Sequence, residues 1–394
     1  MNPTESSPAQ TTSPSVAHTS PTLCENWHDE EIEARGPISG LLLDAFRSQA
    51  TPHTIVGLAA EVTAAVESGR DFVRDDDVQL ALYLLYGLYY GGVVDSGDLW
   101  EWHVDTISAR LELECAFEAQ LRRLVSVPEL PNATAEDVAQ ALFALTAPDP
   151  NAGPSLSRHV AKSLTHEQAI EFMVQRSIYT LKEADPHSWA IPRLTGRAKA
   201  ALVEIQADEY GGGRRDRMHS ELFARSMRGL GLDSRYGTYV NFVPAVTLAS
   251  FNMISMFGMN RRLRGAIAGH LAAFEMTSSV PNGLYARGFR RLGFNEKVTE
   301  YFDEHVKADA VHEQIAARDL AGGLAESQPA LLSEIFFGAS ACLLVDDWVG
   351  QHMLESWTSH NSSLRKPFPF AAVRASQAGL ANRAAPATSA NTGA

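Results

Sequence analysis

Apolar residues return every three to four positions through most of this chain, and no segment shows a convincing strand alternation. Segments 54–68 and 76–91 both carry the helical spacing. The second follows Asp75-Asp76-Asp77, acidic residues suited to the positive end of a helix dipole. A long helix is predicted over 97–125, with Leu111, Leu113, Ala116, Phe117 and Leu121 inside it. Val127-Pro128-Glu129-Leu130-Pro131-Asn132 breaks the pattern, and Thr134 with Asp137 restarts a helix through about Leu145. The run Ala147 to Pro154, rich in Pro, Asn and Gly, is a loop and the candidate boundary between an N-terminal helical region and a core. Helices are then predicted over 155–162, 165–184, 194–209, 214–228, 235–258, 259–276, 285–292, 294–320 and 327–357. Thr165 followed by Gln168 is a capping-box signal. The expected fold class is all-α.

The two ends depart from this pattern. Residues 1–24 are rich in Ser, Thr and Pro, too poor in large apolar groups to repay the entropy of ordering. The Ala/Ser/Asn/Thr-rich end reads the same way. The expected layout is a disordered tail over 1–24, an N-terminal helical region over 25–150, a core over 151–372 and a disordered tail over 373–394. No internal repeat of fixed period is visible.

Composition narrows the function classes. The chain has 394 residues, 45% apolar and 20% charged, an ordinary globular balance. Lys and Arg number 33 against 47 Asp and Glu, a net charge of −14, which argues against a nucleic-acid or anionic-membrane partner. Cys24, Cys115 and Cys342 form no CxxC pair, which excludes a disulfide framework and suits a reducing cytoplasm. The N-terminus has neither the basic nor the apolar region of a signal peptide. The most apolar stretch, Val240–Met259, contains Asn241, Pro244, Asn252 and Gly258 and runs into three arginines, so a buried core helix is expected rather than a membrane span. There is no Gly-x-Ser-x-Gly, Walker loop, dinucleotide fingerprint or His-Glu-x-x-His.

One stretch points to metal chemistry. His305, Asp309 and His312 stand at i, i+4 and i+7. These positions fall within roughly 60° of one another on a helix. Two imidazoles and a carboxylate so placed can converge on one metal ion, and such sets favour Fe(II). Composition alone produces the pattern roughly 0.05 times in a chain of this make-up; a solvated face with two histidines is the bland alternative.

A second stretch is Asp208-Glu209-Tyr210-Gly211-Gly212-Gly213, followed by Arg214, Arg215, Arg217 and His219. Glycine costs about 1 kcal/mol relative to alanine in a helix, so a kink or bulge is expected. Glu209 and His219 lie roughly 80° off a common face in a straight helix and converge only if the glycines distort it. Glu183, near the expected end of the 165–184 helix, lies off the main apolar stripe and by itself reads as a surface carboxylate.

Taken in order and spacing together, Glu183, Glu209, His219 and His305-x3-Asp309-x2-His312 resemble the haem-oxygenase-like diiron oxidases and oxygenases, the iron-containing redox enzyme family. The Glu-Tyr-Gly-Gly-Gly run and the segment from Gly269 to Glu275 look like that family too. The resemblance covers about 155–365, roughly half the chain. It implies a haem-oxygenase-like multi-helix core in which Glu183, Glu209, His219, His305, Asp309 and His312 bind two Fe(II). It also implies reaction with O2 through a peroxo-diiron(III) species to oxidise a small substrate, an amino acid or amine, by N-oxygenation or oxidative C–C cleavage. A labile iron position is implied as well, with the glycine run a physical reason to expect it.

Two other readings are a cofactor-independent oxidase of the same fold and a non-enzymatic helical protein that stores iron or mediates interactions. His270 with Glu275 reads either as a group facing the metal cavity or as a buried structural pair. Asp346 and Asp347 read as partners for a ligand histidine or a substrate ammonium, or as salt-bridge residues. Tyr179 and Tyr210 read as pocket walls or core packing. The arginines at 214, 215 and 217 could meet a substrate carboxylate or face solvent. The apolar helices at 76–125 suit either a homodimer interface or a cap on the core.

Overall fold

Capping side chains in the sequence set several of the helix starts. The computed structural model describes residues 31–48, 53–91, 93–94, 98–148 and 153–384, and every regular element among them is helical. The expected tails at 1–24 and beyond 384, and Cys24, lie outside the described residues.

Helix α1 (Pro37–Arg47) opens on a proline, whose missing N–H is harmless at a first helical position. The buried carboxylate of Asp77 accepts from the N–H groups of Ile38 and Ser39 at 3.0 and 2.7 Å and caps it. After α2 (Leu58–Glu67), Asp75 starts α3 (Asp76–Tyr90) by accepting from the Val78 N–H at 2.8 Å. A 3-10 turn (Asp98–Trp102) leads into α4 (Val104–Leu124), and Thr134 caps α5 (Ala135–Thr146). Then come α6 (Leu156–Ser163) and α7 (His166–Thr180), the latter with the complete Thr165/Gln168 capping box.

Further on, α8 (Asp185–Ser188), α9 (Gly196–Glu209), α10 (His219–Gly229) and α11 (Ala245–Met259) follow. The expected helices at 259–276 and 285–292 are one helix, α12 (Arg264–Arg291). Pro281 removes a backbone hydrogen bond inside it. The helix persists because α6, α13 (Glu296–Gln314) and α15 (Leu332–Thr358) pack along its length. Between the last two lie a π-helical stretch, Ile315–Gly322, and the short α14 (Gly323–Ser327). The last element among the described residues is α16 (Phe370–Ala384), which enters the expected tail. It is helical there because Val373 is buried and the Gln377 amide donates to the Leu230 carbonyl at 2.8 Å.

Helices α12 and α15 cross where both carry glycine. A methyl group on Gly269 would strike the Ile335 carbonyl, and one on Gly338 the Ala266 carbonyl. By length and composition the segment 329–358 could cross a membrane, but more than half of its most apolar window is buried inside the fold. Helix α11, the most apolar stretch by sequence, is a core helix as expected. A single apolar cluster runs from Ile38 to Val373, so the N-terminal helices share a core with the rest. The join is polar at one point: the Asn252 amide donates to the backbone and side-chain oxygens of Gln79, both at 2.8 Å. The rigid centre thus formed holds the ends of α7 and α9, the start of α10 and the middles of α12 and α13 around one spot.

Candidate metal centre

The glycine run turns a poor helical spacing into a contact. Helix α9 ends at Glu209, and Gly211, Gly212 and Gly213 take φ of 65, 60 and 80°, the left-handed region that suits glycine. A side chain on Gly211 would also meet the backbone of Arg217, with a Cβ only 2.6 Å from its carbonyl carbon. The chain therefore doubles back, and the next helix begins at His219 rather than at 214. His219 Nδ1 ends 2.8 Å from Glu209 Oε2. Arg214, Arg215 and Arg217 are all exposed on the turn, and none faces the centre.

Helix α7 stops at Thr180 instead of 184, because Ala184 takes a φ of 74°. The following turn swings Glu183 inward, where it is buried rather than a surface carboxylate. Tyr301 Oη donates to Glu183 Oε1 at 2.8 Å, and His305 Nε2 lies 3.6 Å from the same oxygen.

The buried donors form two groups. Glu183, Glu209, His219 and His305 each offer an atom, all within 4.8 Å of one another; Glu209, Glu275 and His312 do the same. Glu209 belongs to both. His305 and His312, which share one face of α13, therefore serve neighbouring groups instead of converging on one. Seven residues of helix rise by roughly 10 Å, too far for both rings to reach a single ion. Asp309 lies between them on α13, and its side chain is outside the described residues.

Each outer contact fixes which histidine nitrogen faces inward. His305 Nδ1 lies 2.8 Å from the Tyr301 carbonyl, which can only accept, so Nδ1 carries the proton and Nε2 presents a lone pair. His312 Nε2 lies 3.1 Å from Asp208 Oδ2, leaving Nδ1 toward Glu275 Oε2 at 3.4 Å and Glu209 Oε1 at 4.0 Å. Four inward atoms have no hydrogen-bond partner: Glu183 Oε2, Glu209 Oε2, His219 Nδ1 and His312 Nδ1. The close Glu209–His219 pair is out of line for a hydrogen bond, as when two lone pairs aim at one cation. Orphaned buried polar atoms are costly, and a metal ion is what would satisfy them. Carboxylate oxygen and imidazole nitrogen without thiolate suit Fe(II).

The field of the site agrees. Burial works against charge on Glu209, but His219, His305 and His312 hold its carboxyl well below the usual range. Burial and the Glu209 charge push Glu275 up. Burial opposes protonation of His312 too, but Glu275 and Glu209 raise it to about 9, so without metal a proton takes the place of the cation.

Two cavities meet at this spot. A small pocket of about 10 Å³ touches Glu183, Glu209, Glu275 and His305, room for about one ion or water. A cavity of about 820 Å³ has Glu183, Tyr301 and His305 in its wall, so the first group opens onto a space fit for a small molecule. Tyr179 lines both. Tyr210 lies off the centre and donates to Asp185 at 2.8 Å.

Sequence reading missed Asp208 and Tyr301 as the groups that orient His312 and His305. Their signals were adjacency to Glu209 and one-turn spacing before His305. Glu275 belongs with the donors, while its neighbour His270 pairs instead with His187, 3.2 Å away, in a buried contact. His187 was also missed; burial lowers it to about 4, so the pair is neutral.

Residues 170–347, a little under half of the chain, match the sequence model of the iron-containing redox enzymes. The chain is also similar to nitrosourea synthase of Streptomyces achromogenes subsp. streptozoticus, 30% identical over 157 residues. That alignment takes in 40% of this chain and 33% of the relative, so the chain spans about a third of the curated relative it matches.

Proposed function

We propose that this protein is an O2-dependent non-haem diiron oxidase or oxygenase acting on an amino acid or amine in the large cavity. The observation that carries the reading is Glu209, a carboxylate shared by two adjacent donor groups whose free atoms point inward. Glu183, Glu209, His219 and His305 would hold one Fe(II), and Glu209, Glu275 and His312 the other; Asp309 stays in the proposed set on the family resemblance. Iron held there supplies the O2 activation that an oxidation requires. Tyr301 and Asp208 keep the imidazoles in the binding tautomer. The cavity presents the substrate to the side of the centre formed by Glu183 and His305. A nitrosourea contains an oxidised nitrogen, so the likeness to a nitrosourea synthase favours N-oxygenation over C–C cleavage.

The test is anaerobic Fe(II) titration of the wild type and His312→Ala, followed by O2 uptake with a screen of amino acids and amines. The expected result is about two irons per chain, about one in the variant, and uptake tied to an oxidised product. Absence of iron binding would overturn the reading. Uptake that ends in ferric product whatever amine is present would turn it toward iron storage.

A further inference from the structure

One acceptor in the wall of the small pocket is left over once the metal donors are counted. Gln206 of α9 is buried one helical turn before Glu209, and it lines the pocket with Glu183, Glu209, Glu275 and His305. Its amide nitrogen donates to the Ala184 carbonyl and to Ser188 Oγ, both at 2.7 Å. Two observations fix that orientation. The Ala184 carbonyl can only accept. Tyr210 gives its one proton to Asp185 at 2.8 Å, so Ser188 Oγ, 3.0 Å from Tyr210 Oη, donates to the tyrosine and accepts from the amide. Both N–H groups of Gln206 are therefore taken, and the amide is anchored on the turn whose Ala184 φ of 74° swings Glu183 inward. The other end, Oε1, is buried and accepts from no donor among the described residues. Leaving it so is costly. His187 beside it in the wall is already paired with His270. His219 and His312 do not line the pocket, which places this space at the Gln206 side of the donor groups instead of at their centres.

We propose that Gln206 is a positioning residue that holds a water molecule in the small pocket, Oε1 accepting one O–H while the water oxygen faces the metal donors. The space suits a single water, and the neighbouring carboxylates can accept its second O–H. A ligand without hydrogen, such as a bare diatomic, has nothing to give Oε1 and has to displace this water. Gln206 thus biases the centre toward oxygen ligands that carry a proton. The inference deepens the diiron reading; it rests on that reading for the cation beside the water, not for the water itself.

The experiment has two readouts, neither of them turnover. High-resolution crystal structures of the full chain, prepared anaerobically with Fe(II), should show a water within about 3 Å of Gln206 Oε1 and none at that place in Gln206→Leu. Anaerobic titration with nitric oxide, a diatomic without hydrogen, then reads the preference optically, with iron content measured on the same samples. Gln206→Leu lacks the acceptor, so nitric oxide should bind up to about tenfold more tightly, with iron content unchanged. Gln206→Glu loses the anchoring N–H groups but keeps an acceptor, so nitric oxide should bind no more tightly than to the wild type. Ser188→Ala removes one anchor and leaves the Ala184 carbonyl holding the amide, so it should match the wild type. Tighter nitric oxide in both Gln206 variants would assign the effect to a loosened Ala184 turn and overturn the inference. Iron seated on Oε1, loss of iron in Gln206→Leu, or wild-type crystals with no water on Oε1 would overturn it too, and would leave the diiron reading standing. Crystals that hold the water but take up no iron would overturn the diiron reading and leave this inference in place.

Discussion

Helix α7 has a buried carboxylate near its start and another just past its end, and the two have opposite surroundings. Glu171 accepts from Trp357 Nε1, the Ser363 N–H, Ser363 Oγ and Ser362 Oγ, all at 2.7–2.8 Å. Every donor is supplied by the protein, and the network ties the segment after α15 to α7. Glu183 accepts once, from Tyr301, and its second oxygen has no partner. Around it, Glu209, His219 and His312 have orphaned atoms as well. Burial of a carboxylate therefore does not mark a functional site. What separates the two ends is polar satisfaction: a finished network is structure, and an unfinished one aimed at a small space is a place for a cation.

The comparison breaks most readily at Glu209. Glu209→Gln removes the donor common to both groups. Iron content should fall from about two per chain to below one, with affinity lower by more than about 100-fold, the upper range for losing a mere supporting residue. Anaerobic titration reads it; unchanged binding would mean the unfinished cluster is not a metal site. At the other end, Glu171→Ala should cost about 3 kcal/mol of stability by stranding buried donors. Melting curves should show that loss, while the folded protein keeps its iron. A smaller effect is expected from Asp208→Asn, which loosens the His312 ring: the second iron should bind 10- to 100-fold more weakly and the first as before.

The mildest test is pH. His312 is raised from 6.5 to about 9 in the metal-free protein. A raised pKa stabilises the fold fully below the unfolded value, here about 6.5, and that gain is lost as pH climbs through about 9. The metal-free protein should therefore melt lower as pH rises across this window. The same proton competes with iron, so affinity at the His312 side should rise about tenfold per pH unit up to about 9. Titrations at three pH values would show it; flat affinity would remove His312 from the ligand set.

The sequence alone determined the helical class, several helix starts and the chemical identity of most donors. Those are local facts: Asp75, Thr134 and Thr165 cap within three residues of themselves, and apolar spacing marks each buried face. Tertiary structure decided the rest. Glu209 meets His219 because three glycines adopt left-handed angles and fold the chain back. Glu183 turns inward because α7 ends early at Ala184. α12 runs through Pro281 because its neighbours hold it. His305 and His312 part company because the turn after α7 and the start of α10 bring Glu183 and His219 to His305 while α12 brings Glu275 to His312, with Glu209 shared between them. Glu275, readable by sequence as either a cavity group or a structural one, becomes a donor only through that meeting. Spacing along one helix fixes which residues share a face; which atoms can reach a common ion depends on where the other helices lie, and that is settled by packing across the whole core.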